Sequence, residues 1–269
     1  MRNLSRIQII ERSIHRKFRK TLWNPFIAGV KRYELIKEND KIAVCLSGGK
    51  DSALLAKLMQ ELYRHTEVPF ELKFLVMDPG YSPEALQTVR ETTALLEIPA
   101  IYFNSDIFEA VAKLKGAPCY MCARMRRGYL YNFARELGCN KIALGHHFSD
   151  VVETVLMGLL YGAQIQTMMP KLHSKNFPGM ELIRPLYCVR EEDIAAWVRY
   201  NQLEFIQCAC PLKAEDSKRR EIKELLQKLR RDDRYVDDRI FKSVHMVNLD
   251  TVIGYKQDGT EHSFLERYP

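Results

Sequence analysis

The stretch Val44-Cys45-Leu46-Ser47-Gly48-Gly49-Lys50-Asp51-Ser52 decides how the rest of the chain is interpreted. It begins in an apolar, partly β-branched run and continues through two glycines, which indicates a buried strand followed by a tight turn. After the turn, apolar residues recur at helical spacing, at Leu54, Leu55, Leu58, Met59 and Leu62. The sequence therefore predicts a strand, a glycine turn and a helix in direct succession.

This arrangement favours an anion, most often a phosphate, at the turn. Backbone N–H groups and the positive end of the helix dipole point at one spot there. Gly48 and Gly49 also let the backbone come close to a ligand where a Cβ would clash. The loop is not of the Walker type, which needs a first glycine well upstream and Lys followed directly by Ser or Thr. Two glycines alone would indicate a plain strand-to-helix connection, but the intact run 47–52 favours nucleotide binding.

Strands and helices alternate from residue 41 onward. Strands are predicted at 41–45, 72–76, 101–102, 141–144 and 182–183, and helices at about 51–65, 82–96, 121–137, 148–162 and 190–200. Such alternation predicts an α/β, Rossmann-like fold with a parallel sheet covered on both faces, and a ligand beyond the carboxyl ends of the strands. We divide the chain into a basic N-terminal helical segment (1–35), the α/β domain (36–212) and a charged helical C-terminal tail (213–269).

The composition limits the class of protein. The 269 residues are 46% hydrophobic, which is enough for one large or two modest cores. Neither a membrane-spanning apolar run nor the apolar stretch of a signal peptide is present, so we expect a cytoplasmic protein with no membrane partner. Seven cysteines in a chain of this size indicate metal or redox chemistry rather than disulfides.

The charge predicts a polyanionic partner. The formal net charge is +7 and the isoelectric point is about 9.0. In the first predicted helix an apolar stripe is opposed by a dense basic surface that includes Arg16 and Lys17. Such a surface is often only the solvated side of a packing helix, but its single sign favours contact with a nucleic-acid backbone.

Two groups of cysteines suggest a metal or redox site. Cys119 and Cys122 form a CxxC just before a predicted helix, and Cys208 and Cys210 lie far along the chain, from where they could complete a site in space. A CxxC alone fits a zinc half-site, a thioredoxin-like dithiol or a pair of cluster ligands. The spacing does not choose among them.

Four motifs in order carry a resemblance to a known family. The phosphate loop is followed by Cys119-Tyr120-Met121-Cys122, which continues into Arg124-Met125-Arg126-Arg127-Gly128, then by Leu144-Gly145-His146-His147-Phe148-Ser149-Asp150 and by Ile183-Arg184-Pro185-Leu186. From about residue 25 to 240 the chain resembles the tRNA 2-thiocytidine synthetase family of the PP-loop N-type ATP pyrophosphatases. The resemblance implies their PP-loop ATPase fold, of the adenine nucleotide alpha-hydrolase type.

The resemblance also implies a nucleotide site. The ATP phosphates and Mg²⁺ would be held by the loop residues Ser47, Gly48, Gly49, Lys50, Asp51 and Ser52. Met77 and Asp78 would lie by the adenosine, Gly145 and His146 would line the pocket, and Asp150 would lie near magnesium or the reacting base. The catalytic residues implied are Lys50, Asp51 and Asp150. The family commonly has two aspartates after its histidines, and because this chain has Ser149-Asp150 only the second carries over.

An iron–sulfur site is implied as well. Cys119, Cys122 and one later cysteine would ligate a 4Fe-4S cluster whose fourth iron is open. The family commonly has a second CxxC where this chain has CxC, and we choose Cys210 over Cys208 as the third ligand. A closed four-thiolate shell is structural, whereas an open position can take a substrate atom, here sulfur. A structural zinc site is the alternative.

The implied function is modification of tRNA. Arg124, Arg126 and Arg127 are interpreted as phosphate contacts beside the site. The family resemblance implies ATP- and cluster-dependent 2-thiolation of an anticodon-loop cytidine through an adenylated base. Sulfur would come from a donor such as a cysteine desulfurase or free sulfide, and a homodimer is among the assemblies considered. The alternatives are thiolation of a tRNA uridine or ribothymidine, lysidine-type ligation, and a zinc-containing nucleotide-binding regulator without turnover.

Overall fold

The computed structural model of the protein describes residues 4–112, 118–206 and 217–268. The chain forms two compact units. The first consists of Met1–Val151 with Met168–Ser217, and the second of Val152–Thr167 with Lys218–Pro269.

The first unit is built on a six-stranded sheet. Its strands are β1 (Lys41–Leu46), β2 (Glu71–Asp78), β3 (Ala100–Asn104), β4 (Lys141–Ala143), β5 (Lys171–His173) and β6 (Glu181–Ile183). The order is β3-β2-β1-β4-β6-β5, and all neighbours pair in parallel except β5, which runs antiparallel to β6. The predicted α/β class with a parallel sheet is confirmed for five strands. The antiparallel edge strand is outside the prediction because three residues among glycines and prolines show no periodicity.

The helices alternate with the strands as predicted. They are α1 (Arg6–His15), α2 (Asn24–Arg32), α3 (Lys50–His65), α4 (Pro83–Leu95), α5 (Ile107–Ala112), α6 (Pro118–Glu136), α7 (Phe148–Tyr161), α8 (Glu191–Tyr200), α9 (Ser217–Asp232) and α10 (Val236–Ser243), with a π-helical stretch at Arg19–Trp23. In the described part of the α/β region, the short α5 is the one helix that the periodicity did not predict.

Alternate residues of β1 enter two different cores. Ile42 and Val44 pack in a cluster with Leu54 of α3, whereas Ala43 and Cys45 pack in a second cluster with residues of α6. Side chains of a strand point to opposite faces in turn, so a strand apolar at every position must be covered on both faces. This is the physical reason for the continuous apolar run before the glycine loop.

The sheet reverses its order of strand addition at β1. The chain adds β2 and β3 on one side of β1, then returns to add β4 on the other. In open α/β sheets the crevice at such a reversal, beyond the carboxyl ends of the strands, is where ligands bind. The loops that follow β1 and β4 therefore form the expected site.

The N-terminal segment packs on the same core as the sheet. Ser5 caps α1 by accepting a hydrogen bond from the backbone N–H of Gln8 at 3.3 Å. Ile10, Ile14 and Leu22 are fully buried in the cluster that contains Val44. These residues lie in the first compact unit, and their apolar stripe is part of its core; the division of the chain at residue 35 stays a prediction.

The second unit contains the C-terminal part of the chain. Ile222 and Leu226 of α9 are buried, and the side chain of Glu153 accepts from Arg219 Nε at 2.7 Å and lies 3.6 Å from Lys223 Nζ. Strands β7 (Gly254–Gln257) and β8 (Thr260–Ser263) form an antiparallel hairpin. Its turn residues Asp258 and Gly259 both have positive φ, which is typical of the two-residue Asp-Gly turn. Among the described residues, no helix has both the length and the apolar character that crossing a bilayer requires.

Candidate active site

The loop after β1 turns within two residues and opens α3. Gly48 has φ +79°, in the left-handed region that glycine favours, and Gly49 caps α3 in an extended conformation. The backbone N–H of Ser47 donates to Ser52 Oγ at 3.1 Å, and that hydroxyl donates to the carbonyl of Gly49 at 2.9 Å. These bonds fix the turn and leave the start of α3 facing the sheet edge.

Both loops of this edge contain glycines that are required by close packing. A Cβ on Gly48 would lie 2.5 Å from Cδ1 of Ile206 and 2.7 Å from Cγ2 of Val89. A Cβ on Gly145, just after β4, would lie 3.1 Å from the backbone nitrogen of Ser52. The loop after β4 therefore meets the first turn of α3 backbone to backbone.

A cavity of about 590 Å³ opens where these loops meet. Its wall combines strand ends, the start of α3, one side of α6 and the loop after β4. The residues that line it are Cys45, Leu46, Ser47, Asp51, Ser52, Met77, Tyr81, Ala123, Arg126, Arg127, Leu130, Leu144, Gly145, His146, Asp150, Met168, Leu182 and Arg184. The structure thus brings together nine residues that the sequence singled out for the site: Ser47, Asp51, Ser52, Met77, Arg126, Arg127, Gly145, His146 and Asp150.

Lys50 lies on the other side of the loop. It lines a second cavity with Gly49 and Asp51, and its ammonium group lies 3.1 Å from a carboxylate oxygen of Asp51 and 3.1 Å from Glu191 Oε1. Burial alone would lower the pKa of Lys50, but the two carboxylates outweigh it and hold that pKa above its ordinary value. Glu191 has no place in the sequence motifs, and only the fold brings it to the loop.

His147 links the two predicted acidic residues. Its buried ring lies with Nδ1 3.3 Å from Asp150 Oδ2 and Nε2 3.8 Å from Asp51 Oδ1. Asp150 Oδ2 also accepts the backbone N–H of His147 at 3.0 Å, while the Asp150 N–H points to His147 Nδ1 at 3.4 Å. This reciprocal pair at the start of α7 has the form of a capping box. The carboxylate of Asp150 therefore stabilises the helix start as well as facing the cavity.

The end of β2 contributes a residue that the sequence reasoning missed. Met77 lines the cavity, whereas Asp78 Oδ1 accepts the backbone N–H groups of Gly80 and Tyr81 at 2.9 and 2.7 Å. The hydroxyl of Tyr81 donates to the carbonyl of Ser47 at 3.0 Å. Burial is the main cause that raises the pKa of Tyr81. The position of Tyr81, three residues beyond a strand end, was the available signal.

Two arginines contribute to the cavity wall. Arg126 of α6 and Arg184, which follows β6, both line it, and the Nε of each is buried without a hydrogen-bond partner among the described residues. Arg184 also donates to the carbonyl of Met169. Burial lowers the pKa of Arg184 to about 10, which keeps it charged at neutral pH. Arg184 stands in a motif that we quoted without assigning it a role.

The other predicted RNA contacts differ in position. Arg124 is exposed on α6, and Arg127 donates from Nε to the carbonyl of Ala123 at 3.3 Å. Arg16 and Lys17 are exposed next to the end of α1, and Lys17 Nζ lies 3.7 Å from the ring centroid of Tyr200.

Two of the described cysteines, Cys122 and Cys45, lie at or next to the cavity. Cys122 is partly buried on α6, packs with Met77 and directly precedes the cavity residue Ala123. Cys119 lies one helical turn earlier on the same helix, and its side chain is outside the described residues, as are Cys208 and Cys210. Cys45 lines the cavity, and burial, with a smaller contribution from Cys139, raises its pKa to about 12.

Residues 11–235 match the PP-loop domain family. The fold indicates the same class of protein. The glycine loop lies between β1 and α3, where the order of strand addition reverses, and this is where such proteins bind phosphate.

Relatives of similar sequence show to which branch of this family the chain belongs. The chain is 34% identical over 263 residues to a tRNA-cytidine(32) 2-sulfurtransferase of Paracidovorax citrulli, covering 95% of this chain and 81% of that protein. It is 37% identical over 229 residues to one of Syntrophotalea carbinolica, covering 83% and 86%. The chain belongs to the PP-loop family, in the branch of the tRNA-cytidine(32) 2-sulfurtransferases. The family assignment made from four sequence motifs is confirmed.

A solved structure supports the fold. The U34-tRNA thiolase NcsA of Methanococcus maripaludis, determined with its [4Fe-4S] cluster, matches with a TM-score of 0.68 and 21% identity, covering 87% of this chain and 80% of that one. At this identity the match supports the α/β architecture alone.

Proposed function

We propose that this protein is an ATP-dependent sulfurtransferase that replaces the 2-oxygen of an anticodon-loop cytidine of tRNA with sulfur. The observation that carries the proposal is that the phosphate loop and the helix bearing Cys119 and Cys122 border one cavity. Ser47 and Asp51 line that cavity from one side, and Ala123, next to Cys122, lines it from the other. A nucleotide-activated base and a sulfur source could thus meet within one cavity.

The loop residues fit a nucleotide triphosphate. The turn at Gly48 and Gly49 opens α3 without a side-chain cap, so the start of α3 offers backbone N–H groups and a positive dipole end to phosphate. In this proposal Ser47, Gly48, Gly49 and Ser52 hold the phosphates. Met77 contacts the adenine, and Gly145 and His146 complete the pocket. Asp78 supports this region indirectly, through the turn that it caps.

The acidic and basic residues have separate roles in this proposal: the carboxylates bind the metal ion, and the lysine compensates phosphate charge. Asp51, with Asp150 beside it, would hold Mg²⁺ through hard carboxylate oxygens. Lys50 would offset charge on the departing pyrophosphate. Transfer of AMP to the 2-oxygen of cytosine turns a poor leaving group into a good one, so that AMP leaves when sulfur bonds to the 2-carbon.

A cluster ligand set is supported by helix geometry. Cys119 and Cys122 are three residues apart on α6, and residues at this spacing lie on one side of a helix. These two cysteines and Cys210 would hold a 4Fe-4S cluster, which supplies the sulfur nucleophile when bound. Sulfur would reach it from a cysteine desulfurase or from free sulfide.

The basic residues fit a tRNA backbone. The buried Nε atoms of Arg126 and Arg184 offer donors at the cavity wall, which an incoming phosphate or base can use. Arg124 and Arg127 extend this charge along α6, and Arg16 and Lys17 could contact a more distant part of the RNA. We expect the enzyme in the cytoplasm, where its substrate is found.

Mass spectrometry of tRNA nucleosides from cells lacking the protein tests the proposal. We expect loss of 2-thiocytidine, restored by the wild-type gene but not by Asp51→Asn or Cys122→Ser. Loss of a thiouridine or of lysidine instead would overturn the cytidine assignment, and an unchanged nucleoside profile would overturn the enzymatic one. Iron, sulfide and zinc analysis of anaerobically purified protein separates the cluster from the zinc alternative, since zinc without iron would favour a regulator.

A further inference from the structure

Three side chains meet at a place separate from the cavity. They are His15, the last residue of α1, and Glu61 and His65, one turn apart near the end of α3. His15 Nε2 lies 2.7 Å and His65 Nε2 3.7 Å from Glu61 Oε2. The three ligand atoms all lie within 4.8 Å of one another.

The separations fit a small metal ion. Zinc binds imidazole nitrogen and carboxylate oxygen at about 2.0–2.2 Å in tetrahedral geometry, which places neighbouring ligand atoms roughly 3.3 Å apart. The two measured separations, 2.7 and 3.7 Å, bracket this value. Small rotations of the two rings would therefore equalise them.

The carboxylate is held in place by its neighbours. The side chain of Glu61 is only 4% exposed, and its other oxygen, Oε1, accepts from Arg64 at 2.8 Å. Oε2 is thereby directed at the histidines. The ring of His15 packs edge-on against Trp23 at 4.7 Å between centroids, which orients it. Such supporting contacts are a usual property of metal ligands.

The electrostatic surroundings accept a cation. The C-terminal ends of α1 and α3, where the histidines stand, carry partial negative charge. Two cations beside the trio, Lys57 and Arg64, form ion pairs with Glu11, and Arg64 also pairs with Glu61. These pairs offset part of the positive charge that a dication would meet.

We propose that His15, Glu61 and His65 bind a divalent transition-metal ion of the zinc class. The two imidazoles select such ions, because calcium and magnesium favour ligand sets made of oxygen atoms. The side chain of His65 is 60% exposed, so the fourth position faces solvent. The ion would join α1 to α3 and so fix the basic N-terminal helix on the nucleotide-binding unit.

The test uses full-length protein with its iron–sulfur centre reconstituted under anaerobic conditions and loosely bound metal removed by a chelator. Zn²⁺ is titrated by calorimetry, and Co²⁺ reports the ligand type, because thiolate ligands give charge-transfer absorption and imidazole or carboxylate ligands do not. We expect one additional ion per chain, without thiolate absorption, and an affinity at least tenfold lower in His15→Gln and His65→Gln. His173→Gln is the matched control, since His173 is 88% exposed and outside the trio.

Two results would overturn the proposal: no saturable ion in the wild-type protein, or equal affinity in the wild type and both variants. Glu61→Gln is a third variant, and its buried side chain makes loss of the fold a risk. If it does not fold, the metal affinity of His65→Gln, a change at an exposed side chain, still tests the proposal. Thermal unfolding gives a second readout. Zn²⁺ should raise Tm in the wild type and in His173→Gln but leave it unchanged in His65→Gln.

Discussion

Lys50, the first residue of α3, forms an ion pair of 3.1 Å with Glu191, the first residue of α8, although the two are 141 residues apart in the chain. The lysine of the phosphate loop is therefore already held in place. Phosphate binding has to draw this ammonium away from its carboxylates or share it with them.

Removing the Glu191 charge is expected to strengthen ATP binding. Glu191→Gln leaves Lys50 with Asp51 alone and removes a negative charge near the incoming phosphates. The pair is partly exposed and such pairs contribute up to about 1 kcal/mol, so we expect a Kd for ATP lower by roughly twofold to fivefold. Calorimetry checks this, with the exposed neighbour Glu192→Gln as control. An equal change in both variants would mean that general charge, not the pair, is responsible.

Gly48→Ala is expected to damage the protein more than a change at an equally strained glycine. Gly138 has φ +75° and open space around it, whereas Gly48 has φ +79° and packs against Ile206 and Val89. Gly138→Ala should lower the free energy of unfolding by about 1–2 kcal/mol through backbone strain alone. Gly48→Ala should lower it by roughly 1–3 kcal/mol more through overpacking. Urea unfolding measures both.

A second substitution separates the two causes at Gly48. Adding Ile206→Ala to Gly48→Ala removes the closest obstacle and should recover part of the packing loss. If the double variant is no more stable than the sum of the two single changes, contact with Ile206 is not the cause.

Asp150 is expected to show separable structural and catalytic effects. Asp150→Asn keeps an oxygen that can accept the His147 N–H, so unfolding stability should be nearly unchanged while turnover falls. Asp150→Ala should also lose about 1 kcal/mol of stability, as expected for loss of a helix cap. Ser82→Ala, which removes the hydroxyl cap of α4, is the control for stability without catalysis. Full activity in Asp150→Asn would contradict a role for the charge.

Cys45 is expected to resist alkylation although it lines the cavity. With its pKa raised to about 12, roughly one thiol in a thousand is ionised near pH 9, and only the thiolate reacts. The neutral form is favoured by folding, so this stabilisation is complete below the unfolded pKa of about 8.5 and is lost as pH rises through about 12. Peptide mapping after iodoacetamide treatment should find Cys45 unmodified in the native protein and modified in urea. Rapid modification of the native protein would contradict a neutral, unreactive thiol at Cys45.

RNA binding is expected to weaken steeply with salt and to depend on α6. Each phosphate contact contributes about 0.7 to the slope of log K against log salt for a single-stranded region. Arg126→Ala should reduce the slope by about one contact. Arg135→Ala, an exposed change at the other end of the same helix, should leave it unchanged. Equal slopes for all three proteins would argue against α6 as an RNA contact.

The sequence predicted features that depend on neighbouring residues. Strand β1, the turn at Gly48 and the helix after it follow from local periodicity and glycine geometry, so they could be read directly. Glu191 and Arg184 could not be assigned in the same way, because only the packing of elements distant in the chain brings them to the site, whereas Tyr81 had the weak signal of its place after a strand end. The ammonium group of Lys50 lies away from the main cavity, where it pairs with Glu191 at the start of α8. This position likewise depends on an element that is distant in the chain.

The side chain of Ile206, two residues before Cys208, packs against Gly48. A residue just ahead of the second cysteine pair is thus in contact with the phosphate loop. Chimeras that exchange either piece between relatives without the other would lose this fit, so the two should be transplanted as a single module.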